Sequence, residues 1–309
     1  MVVRRFCSTE RGVGEPRVFS GKASVTVEIR RGHVLADAGP RIPSLFVPAT
    51  ALWRHWSLFR RLLARDVLSA FRGSVLGLAW VVLIPLSFVA IYSFVFGVIV
   101  KTTWANEARA PFETPLIYFM SLMMFGFFME AITRSANLIR DHATYVNKIV
   151  FPLDLLGWVL AGTALMKLGI NAALLAGALA IVTAAIPWKL LVLPLLLAPF
   201  VVLTLGVIWI FSAVGAYLRD LALGLQAAAP VLTFLTPIFY SVDQVPPAAR
   251  GMFYLNPLTF PIESARGAVF MERPVSWEGY GLYWLSALAV FTLGGWCFQR
   301  LRPGFADVV

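Results

Sequence analysis

Long uncharged segments alternate with short charged ones along most of the chain after residue 72. Twenty-eight uncharged residues separate Arg72 from Lys101, and 29 separate Lys189 from Arg219. A helix of about 20 apolar residues crosses the hydrocarbon core of a bilayer, which is about 30 Å thick. The pattern therefore predicts an all-α polytopic membrane protein with six transmembrane helices per protomer. The predicted spans cover about residues 75–100, 114–134, 153–186, 190–216, 221–241 and 279–299.

Residues 52–72, just before the first span, have the pattern of an amphipathic helix. Trp56 and Phe59 recur at helical spacing on an apolar face, while Arg61 and Arg65 lie mostly elsewhere around the helix. Such a pattern is typical of a helix that lies in the membrane interface, with arginines at anionic headgroups and aromatic rings at the acyl boundary. A soluble helix that packs on a partner is the alternative interpretation.

The segment between the fifth and sixth spans is apolar but short. Residues 251–262 carry no charge, yet 12 residues cannot cross a bilayer as a helix. Pro257 and Pro261 interrupt this segment, and Pro246 and Pro247 separate it from the fifth span. We expect a re-entrant helical hairpin at about residues 246–272, dipping into the outer leaflet. Irregular backbone at that depth must be buried in protein or line a wet cavity.

Composition and charge support a membrane protein and locate its cytosolic side. Hydrophobic residues make up 59% of the 309-residue chain and charged residues only 14%, against about 25% in soluble domains. Of 26 Lys and Arg residues, 13 precede residue 73. By the positive-inside rule, this excess places both termini in the cytoplasm. Residues 1–51 are predicted to be a loosely ordered cytosolic extension and 303–309 a cytosolic tail. The basic N-terminal region is expected to face the cytosol or the headgroups of membrane lipids, and no nucleic acid partner is expected.

The residues of catalytic and metal sites are sparse. Two isolated cysteines, Cys7 and Cys297, and three histidines without i, i+4 spacing predict neither a disulfide framework nor a metal site. The sequence most similar to a phosphate-binding loop is Gly21-Lys22-Ala23, in which Ala23 occupies the position where the motif needs Ser or Thr. We expect no cofactor on this chain and no enzyme activity. Uphill transport would then need either a partner ATPase or an ion gradient.

Lys167 is the one basic residue deep within a predicted span. An ionisable group at that depth is costly and is a functional hypothesis by default. One interpretation is that Lys167 contacts an anionic pyrophosphate or sugar acid on a substrate path. The other is that Lys167 forms a structural pair with Glu130 of the second span or extends toward the cytosol. Asn171 lies one turn away on the same face.

Aromatic residues are abundant enough to line a substrate path, with 24 Phe, 10 Trp and 8 Tyr. Sugar C–H faces pack on aromatic rings, and tyrosine hydroxyls can bond sugar hydroxyls. Anchoring at the membrane interface is the alternative role for any single ring. The aromatic candidates for the substrate path are Tyr92, Phe96, Tyr118, Phe239, Tyr240, Phe253 and Tyr254.

Three segments resemble a known family. They are RDVLSAFRGSVLGLAW (65–80), NLIRDHATYVNKIVFPLDLL (137–156) and YLNPLTFPIESARGAVF (254–270). In this order on a six-span plan they resemble the permease subunits of type-2 ABC exporters of O-antigen, capsule and teichoic acid. The resemblance covers about residues 55–302. In that family the third segment corresponds to a periplasmic hairpin.

The resemblance implies a function and a set of partners. It implies a homodimer in the bacterial inner membrane, joined to two copies of an ATP-binding cassette subunit that holds ATP and Mg. It further implies export of a lipid-linked polysaccharide. The cytosolic segments after spans two and four would contact the ATPase. In this chain their candidate residues are Arg140, Asp141, Tyr145, Lys148, Tyr217, Arg219 and Asp220.

Three alternative functions stay open on the sequence. The same architecture could export a drug or a small lipid. A membrane-embedded enzyme acting on polyprenyl-linked sugars would need carboxylates or an Arg/His cluster in or near the membrane, and the cores of spans one, four, five and six carry no charge. A gradient-driven transporter would need a relay of acidic groups.

Overall fold

The computed structural model describes residues 47–69, 76–99, 113–146, 151–183 and 188–308. Two units divide the chain: Met1–Ile42, which lies outside the described residues, and Pro43–Val309, which contains all of them. The loosely ordered extension predicted for residues 1–51 therefore falls almost entirely outside the description. Secondary structure in the described residues is helical, without a strand, as the prediction of an all-α protein requires.

The described residues form thirteen α-helices. They are α1 (Val47–Arg54), α2 (Trp56–Ser69), α3 (Trp80–Tyr92), α4 (Glu113–Ser135), α5 (Leu138–Asp141), α6 (Ala143–Val146), α7 (Asp154–Thr183), α8 (Leu193–Tyr217), α9 (Leu221–Leu235), α10 (Pro247–Phe253), α11 (Thr259–Phe270), α12 (Trp277–Leu301) and α13 (Phe305–Val308). A 3-10 turn precedes α3, α8 and α13, and a π-helical segment, Ser93–Ile99, continues α3.

Four helical segments in the described residues are long and apolar enough to cross a membrane. They are Glu113–Ser135, Asp154–Thr183, Lys189–Tyr217 and Trp277–Gly304. Their bounds overlap the second, third, fourth and sixth predicted spans. The first and fifth predicted spans correspond to two shorter apolar helices, Trp80–Phe96 and Leu221–Leu235.

The fifth predicted span and α9 begin at the same residue but end at different ones. The charge pattern extends this span to 241, whereas α9 ends at Leu235. Thr236 is extended, with φ −93° and ψ 135°, and Pro237 follows. A residue before proline is disfavoured in the helical conformation, so the end of α9 has a local cause that counting charges does not detect.

The α4 helix lies at the centre of the larger hydrophobic core. Met120 and Met124 are fully buried on it, and Phe127 and Phe128 pack against Phe200 of α8. Apolar residues around the whole circumference of a helix are typical of a helix surrounded by others. The second predicted span is thus the most enclosed one, with α7 and α8 beside it.

Glycines bring α8 and α12 into backbone contact. A Cβ added to Gly206 would lie 2.5 Å from the carbonyl oxygen of Val290, and one added to Gly294 would collide with the backbone of Gly206. Small residues allow membrane helices to approach closely, where dispersion contacts replace the hydrophobic effect as the source of packing energy. This crossing joins the fourth and sixth spans.

Polar contacts show which helix ends lie together. Asp154, at the start of α7, accepts hydrogen bonds from Gln299 and Arg302 at the end of α12. At the opposite end of the bundle, the Tyr280 hydroxyl in α12 donates to the carbonyl oxygen of Leu195 in α8. We call these the α2 end and the hairpin end, after the elements found there.

The last described residues dock on the bundle. After the 3-10 turn Arg302–Gly304, Phe305 is fully buried and packs on Phe298 and Tyr217. The Tyr217 hydroxyl donates a 2.8 Å hydrogen bond to the carbonyl oxygen of Leu301. Phe305, within the segment predicted as a tail, therefore belongs to the core at the α2 end, whereas Pro303, Ala306 and Val308 are exposed.

Candidate functional site

A cavity of about 490 Å³ lies between α3, α4 and α7. Its volume is within the range of small-molecule sites, about 300–1,000 Å³. Aromatic and aliphatic side chains, among them Phe88 and Tyr92, form most of its wall, while Glu130, Lys167 and Asn171 supply polar groups. Two sequence-predicted path residues, Tyr92 and Lys167, thus line one cavity, and Asn171 lines it with them.

A row of alternating charges runs from this cavity toward α2. Lys167 Nζ lies 2.5 Å from Glu130 Oε1, and the same oxygen lies 3.4 Å from Arg134 Nη1. Arg134 Nη2 then donates to both carboxylate oxygens of Asp66, at 2.9 Å each. The Lys167–Glu130 pair expected from the sequence is present. We call the four side chains the charged row.

Asp66 is not among the residues that the sequence pattern predicts to be functional, since only basic and aromatic residues of α2 fit an interface helix. Its Oδ2 also accepts a 2.7 Å hydrogen bond from Thr163 Oγ1 of α7. Asp66 thereby ties α2 to both α4 and α7. The sequence signal was its position as a single acid among the arginines of residues 52–72.

Aromatic rings lead from the cavity toward the hairpin end. Phe88, Tyr92 and Phe96 stack in sequence along α3 and its π-helical continuation, with centroids 6.1 Å apart at each step. Phe96 meets Tyr118 edge-on at 4.6 Å, and Tyr118 lies 5.5 Å from Phe239. Four of the aromatic path candidates are therefore contiguous. We call this series the aromatic ladder.

Two of the three remaining aromatic candidates form a contact that is separate from the ladder. Tyr240 and Phe253 meet edge-on, with centroids 5.9 Å apart. The Tyr240 hydroxyl donates to the carbonyl oxygen of Phe234 at 2.6 Å. Tyr254 is 56% exposed. All three belong to the hairpin end, where α10 follows α9.

Side-chain hydrogen bonds hold the hairpin segment to the end of α9. The Asn256 amide donates to Thr236 Oγ1 at 2.9 Å, and its oxygen accepts from the backbone N–H of Leu258 at 3.0 Å. The Tyr283 hydroxyl of α12 donates to the carbonyl oxygen of Pro257 at 2.8 Å. The polar residues of the Asn-Pro-Leu-Thr sequence thus order a turn between α10 and α11.

Arg266 of α11 is fully buried. Its Nη1 donates to the carbonyl oxygen of Pro237 at 3.1 Å, and its Nη2 pairs with Glu263 at 2.5 Å. Glu263 also accepts from the backbone N–H of Val242 at 2.9 Å. Arginine remains charged in proteins, so this is a buried ion pair that fixes the backbone after α9.

The two predicted ATPase-coupling segments touch each other at the α2 end. Arg140 Nη2 lies 2.5 Å from the side-chain oxygen of Asn137 and 3.4 Å from the carbonyl oxygen of Arg219. Asp141, Arg219 and Asp220 are exposed. Tyr217 is partly exposed and bonds the end of α12, while Lys148 lies outside the described residues.

Tyr145 connects the coupling segment to α2. Arg65 Nη1 donates a 2.8 Å hydrogen bond to the Tyr145 hydroxyl, and the Tyr145 ring stacks on Phe151 at 4.5 Å. A second cavity, of about 440 Å³, opens here and is lined by Arg65, Asp66 and Arg134 among others. Structural contacts therefore extend from α2 to the surface predicted for the ATPase.

The other residues predicted for the interface helix divide between surface and core. Arg61 is exposed and Trp56 is 52% exposed. Phe59 is buried beside Leu155 and Val159 of α7. A Cβ added to Gly162 would lie 3.2 Å from the Phe59 ring, so this glycine makes room for it. The apolar side of α2 thus packs partly on protein.

Metal-ligand residues do not assemble within the described parts of the chain: no group of three or more His, Cys, Asp or Glu side chains could hold a metal ion there. The cavity and the charged row together present an apolar wall, two cations and two carboxylates.

Comparison with known proteins identifies the family. Residues 57–270 match the model of the ABC-2 type transporter family. The chain belongs to that family. The match begins within α2 and ends with α11, so it includes the charged row, the aromatic ladder and the hairpin segment. Family membership together with the long apolar helices makes this ABC-2 transporter a multi-pass membrane protein.

Curated relatives of this ABC-2 transporter carry one name. An O-antigen export system permease protein RfbA from Klebsiella pneumoniae is 24% identical over 251 residues, covering 79% of this chain and 92% of the relative. A protein of the same name from Myxococcus xanthus is 24% identical over 265 residues, covering 84% of this chain and 97% of the relative. This ABC-2 transporter is thus similar to permeases over nearly their whole length.

Proposed function

We propose that this ABC-2 transporter is the permease subunit of an ATP-driven exporter of lipid-linked, O-antigen-like polysaccharide. It would move that cargo from the cytoplasmic to the outer side of the bacterial inner membrane. The observation that carries the proposal is the aromatic ladder, which continues from a cavity with a charged edge to the hairpin end. Stacked rings suit sugar faces, and tyrosine hydroxyls suit sugar hydroxyls. The names of the relatives support the same substrate class.

A six-span protomer with both termini in the cytoplasm is part of the proposal. The π-helical segment Ser93–Ile99 lengthens α3, so that Trp80–Ile99 would form the first span. The α9 helix would form the fifth span, with α10 and α11 as the re-entrant periplasmic hairpin. Contacts of Arg266 and Asn256 with the end of α9 provide the protein environment that irregular backbone needs at membrane depth.

A homodimer would close the path on its open side. Large apolar side chains on the π-helical continuation of α3 and on α9 face outward, including Phe94, Ile99, Leu223 and Phe234, which are 59–71% exposed. The cavity and ladder are walled on one side by α3. Pairing of the first and fifth spans across the dimer would therefore enclose cargo between two ladders.

Energy would come from two copies of an ATP-binding cassette subunit that carry ATP and Mg. The contact between Arg140 and the Arg219 carbonyl oxygen supports this, because it joins both predicted coupling segments into one exposed surface. This chain would be a non-catalytic subunit. A rigid charged surface of this kind can transmit movement of a partner, and α2 lies against it through Arg65 and Tyr145.

The membrane interface is the proposed location of α2. Trp56 and Arg61 of α2 are exposed, and so is Trp53 at the end of the preceding helix α1, so both aromatic and basic groups face away from the bundle. Aromatic rings and arginines in that arrangement suit headgroups of membrane lipids. Cargo would enter from the inner leaflet near this helix.

The test is transport by the reconstituted complex. The chain should co-purify with an ATPase that bears G-x-x-x-x-G-K-[ST], and proteoliposomes should translocate lipid-linked glycan only with hydrolysable ATP. An ATPase variant with its phosphate-loop lysine replaced is the matched control. Translocation without nucleotide, or export of a small drug with no response to glycan, would contradict the proposal.

A further inference from the structure

One carboxylate oxygen in the charged row contacts two cations. Glu130 Oε1 lies 2.5 Å from Lys167 Nζ and 3.4 Å from Arg134 Nη1. Lys167 is on α7, whereas Glu130 and Arg134 are on α4. An oxygen between an ammonium and a guanidinium occupies the position that a phosphate oxygen takes in many anion sites.

The three side chains are accessible. Lys167, Glu130 and Arg134 are 32%, 24% and 38% exposed. Lys167 and Glu130 line the apolar cavity, while Arg134 lines the polar cavity beside α2. The row therefore lies at the junction of a space suited to apolar groups and a space suited to charged ones. A fully buried structural ion pair would not be accessible from either cavity.

Arg134 is held in place independently of Glu130. Both oxygens of Asp66 accept from Arg134 Nη2 at 2.9 Å, and Thr163 Oγ1 holds Asp66 in turn. Charge-assisted bonds of this kind are stronger than neutral ones. If Glu130 rotated away, Arg134 would keep its position, and two cations would face the junction with a single remaining carboxylate beside them.

We propose that Glu130 is an internal substitute anion, which the phosphate or diphosphate group of an apolar-chain cargo displaces from Lys167 and Arg134. The cargo's chain would lie in the apolar cavity and its anionic head at the row. No covalent bond changes, since one anion replaces another. This inference rests on the proposed function, because it takes the cargo to be lipid-linked. It assigns Lys167 and Arg134 as ligands and Glu130 as the competing group.

Equilibrium binding to the complete transporter in nanodiscs tests the inference. The probe is labelled farnesyl diphosphate, with farnesol and inorganic pyrophosphate as competitors. Glu130→Gln removes the competing charge and should tighten farnesyl diphosphate binding by about tenfold, whereas Lys167→Met should weaken it by about tenfold. Farnesol should compete equally in both variants, because it carries no anion.

A matched control tests whether the position of the charge matters. Lys189 and Glu272 form a 2.6 Å pair at the hairpin end, outside the cavity, so Lys189→Met should leave binding unchanged. If single variants at the row do not fold, the triple variant Glu130→Gln/Lys167→Met/Arg134→Gln replaces them. It lacks both proposed cationic ligands, so it should bind farnesyl diphosphate no more tightly than farnesol.

The outcomes separate this inference from the proposed function. Equal farnesyl diphosphate affinity in wild type, Glu130→Gln and Lys167→Met would overturn the inference and leave a structural ion pair. Competition by pyrophosphate as strong as by farnesyl diphosphate would overturn its lipid part. ATP-dependent glycan export by the wild-type preparation is measured in parallel, so an intact exporter that fails the binding test keeps the proposed function.

Discussion

The Arg65 guanidinium donates a 2.8 Å hydrogen bond to the hydroxyl of Tyr145, 80 residues further along the chain. Arg65 belongs to the helix predicted to lie at the membrane interface, and Tyr145 to the segment predicted to meet the ATPase. The bond therefore joins two segments for which the sequence predicts different functions. Through it, movement of the segment predicted to contact the ATPase can be transmitted to α2, where cargo is proposed to enter.

Tyr145→Phe removes the acceptor of this bond and keeps the ring that stacks on Phe151. Because the bond is exposed, we expect a loss of stability below about 1 kcal/mol. The expected functional effect is a rise in ATP hydrolysed per glycan exported by the reconstituted complex. Tyr280→Phe, which removes a 2.7 Å bond at the other end of the bundle, should leave that ratio unchanged. Equal ratios in wild type and Tyr145→Phe would show that the bond does not transmit the ATPase movement.

Gly206→Ala should destabilise the crossing of α8 and α12. Its Cβ would lie 2.5 Å from the Val290 carbonyl oxygen, so the helices must separate. Overpacking of this kind costs about 1–3 kcal/mol, which thermal unfolding in detergent should detect. Gly224→Ala is the control, because its Cβ would meet nothing within 4 Å, and it should be neutral or slightly stabilising. An unchanged unfolding temperature for Gly206→Ala would contradict the close contact.

Arg302→Met should destabilise the α2 end by leaving the Asp154 carboxylate, which is 2% exposed, without its cation. We expect about 1–3 kcal/mol, since Gln299 still donates to Asp154 and Arg302 is partly in contact with solvent. Adding Asp154→Asn should recover most of that loss, because no buried charge then remains. The exposed neighbour Arg300→Met should change stability by less than about 0.5 kcal/mol. A double variant no more stable than Arg302→Met would argue against the pair.

Arg266→Lys tests the attachment of the hairpin segment. A lysine ammonium lacks the fork with which the guanidinium reaches both the Pro237 carbonyl oxygen and Glu263. We expect a loss of about 1–3 kcal/mol in detergent unfolding, together with reduced glycan export. Arg273→Lys alters an exposed pair with Asp243 and should cost less than about 1 kcal/mol. Equal losses of stability for Arg266→Lys and Arg273→Lys would show that the two contacts of the Arg266 guanidinium do not stabilise the hairpin segment specifically.

The sequence predicted the all-helical class and the approximate bounds of four long apolar helices, because charged residues flank these helices. Glu113 and Arg134 lie within the first and last turns of α4, whose bounds nearly coincide with the second predicted span. The end of α9 was missed because it depends on a proline and a buried backbone turn at Thr236 and Pro237, which carry no charge.

The candidate site was predictable in part. The Lys167–Glu130 pair was one of the alternatives that the cost of an isolated charge at membrane depth suggested, beside contact with substrate and extension toward the cytosol. The continuation of the charged row through Arg134 to Asp66 could not be predicted from the sequence, because it depends on how α2 packs against α4. The aromatic candidates were chosen by residue type and expected depth. Their separation into the ladder and the Tyr240–Phe253 contact requires helix orientations that the chain order does not contain.

The glycine crossing of α8 and α12 limits how the protomer can open. Because Gly206 and Gly294 place one backbone directly on the other, sliding or rotating this pair would force atoms into each other. The pair would therefore act as a stationary frame during a transport cycle. Helices free of such a constraint, α3 and α9 among the described ones, would carry the movement, and a cross-link between α8 and α12 should leave the cycle intact.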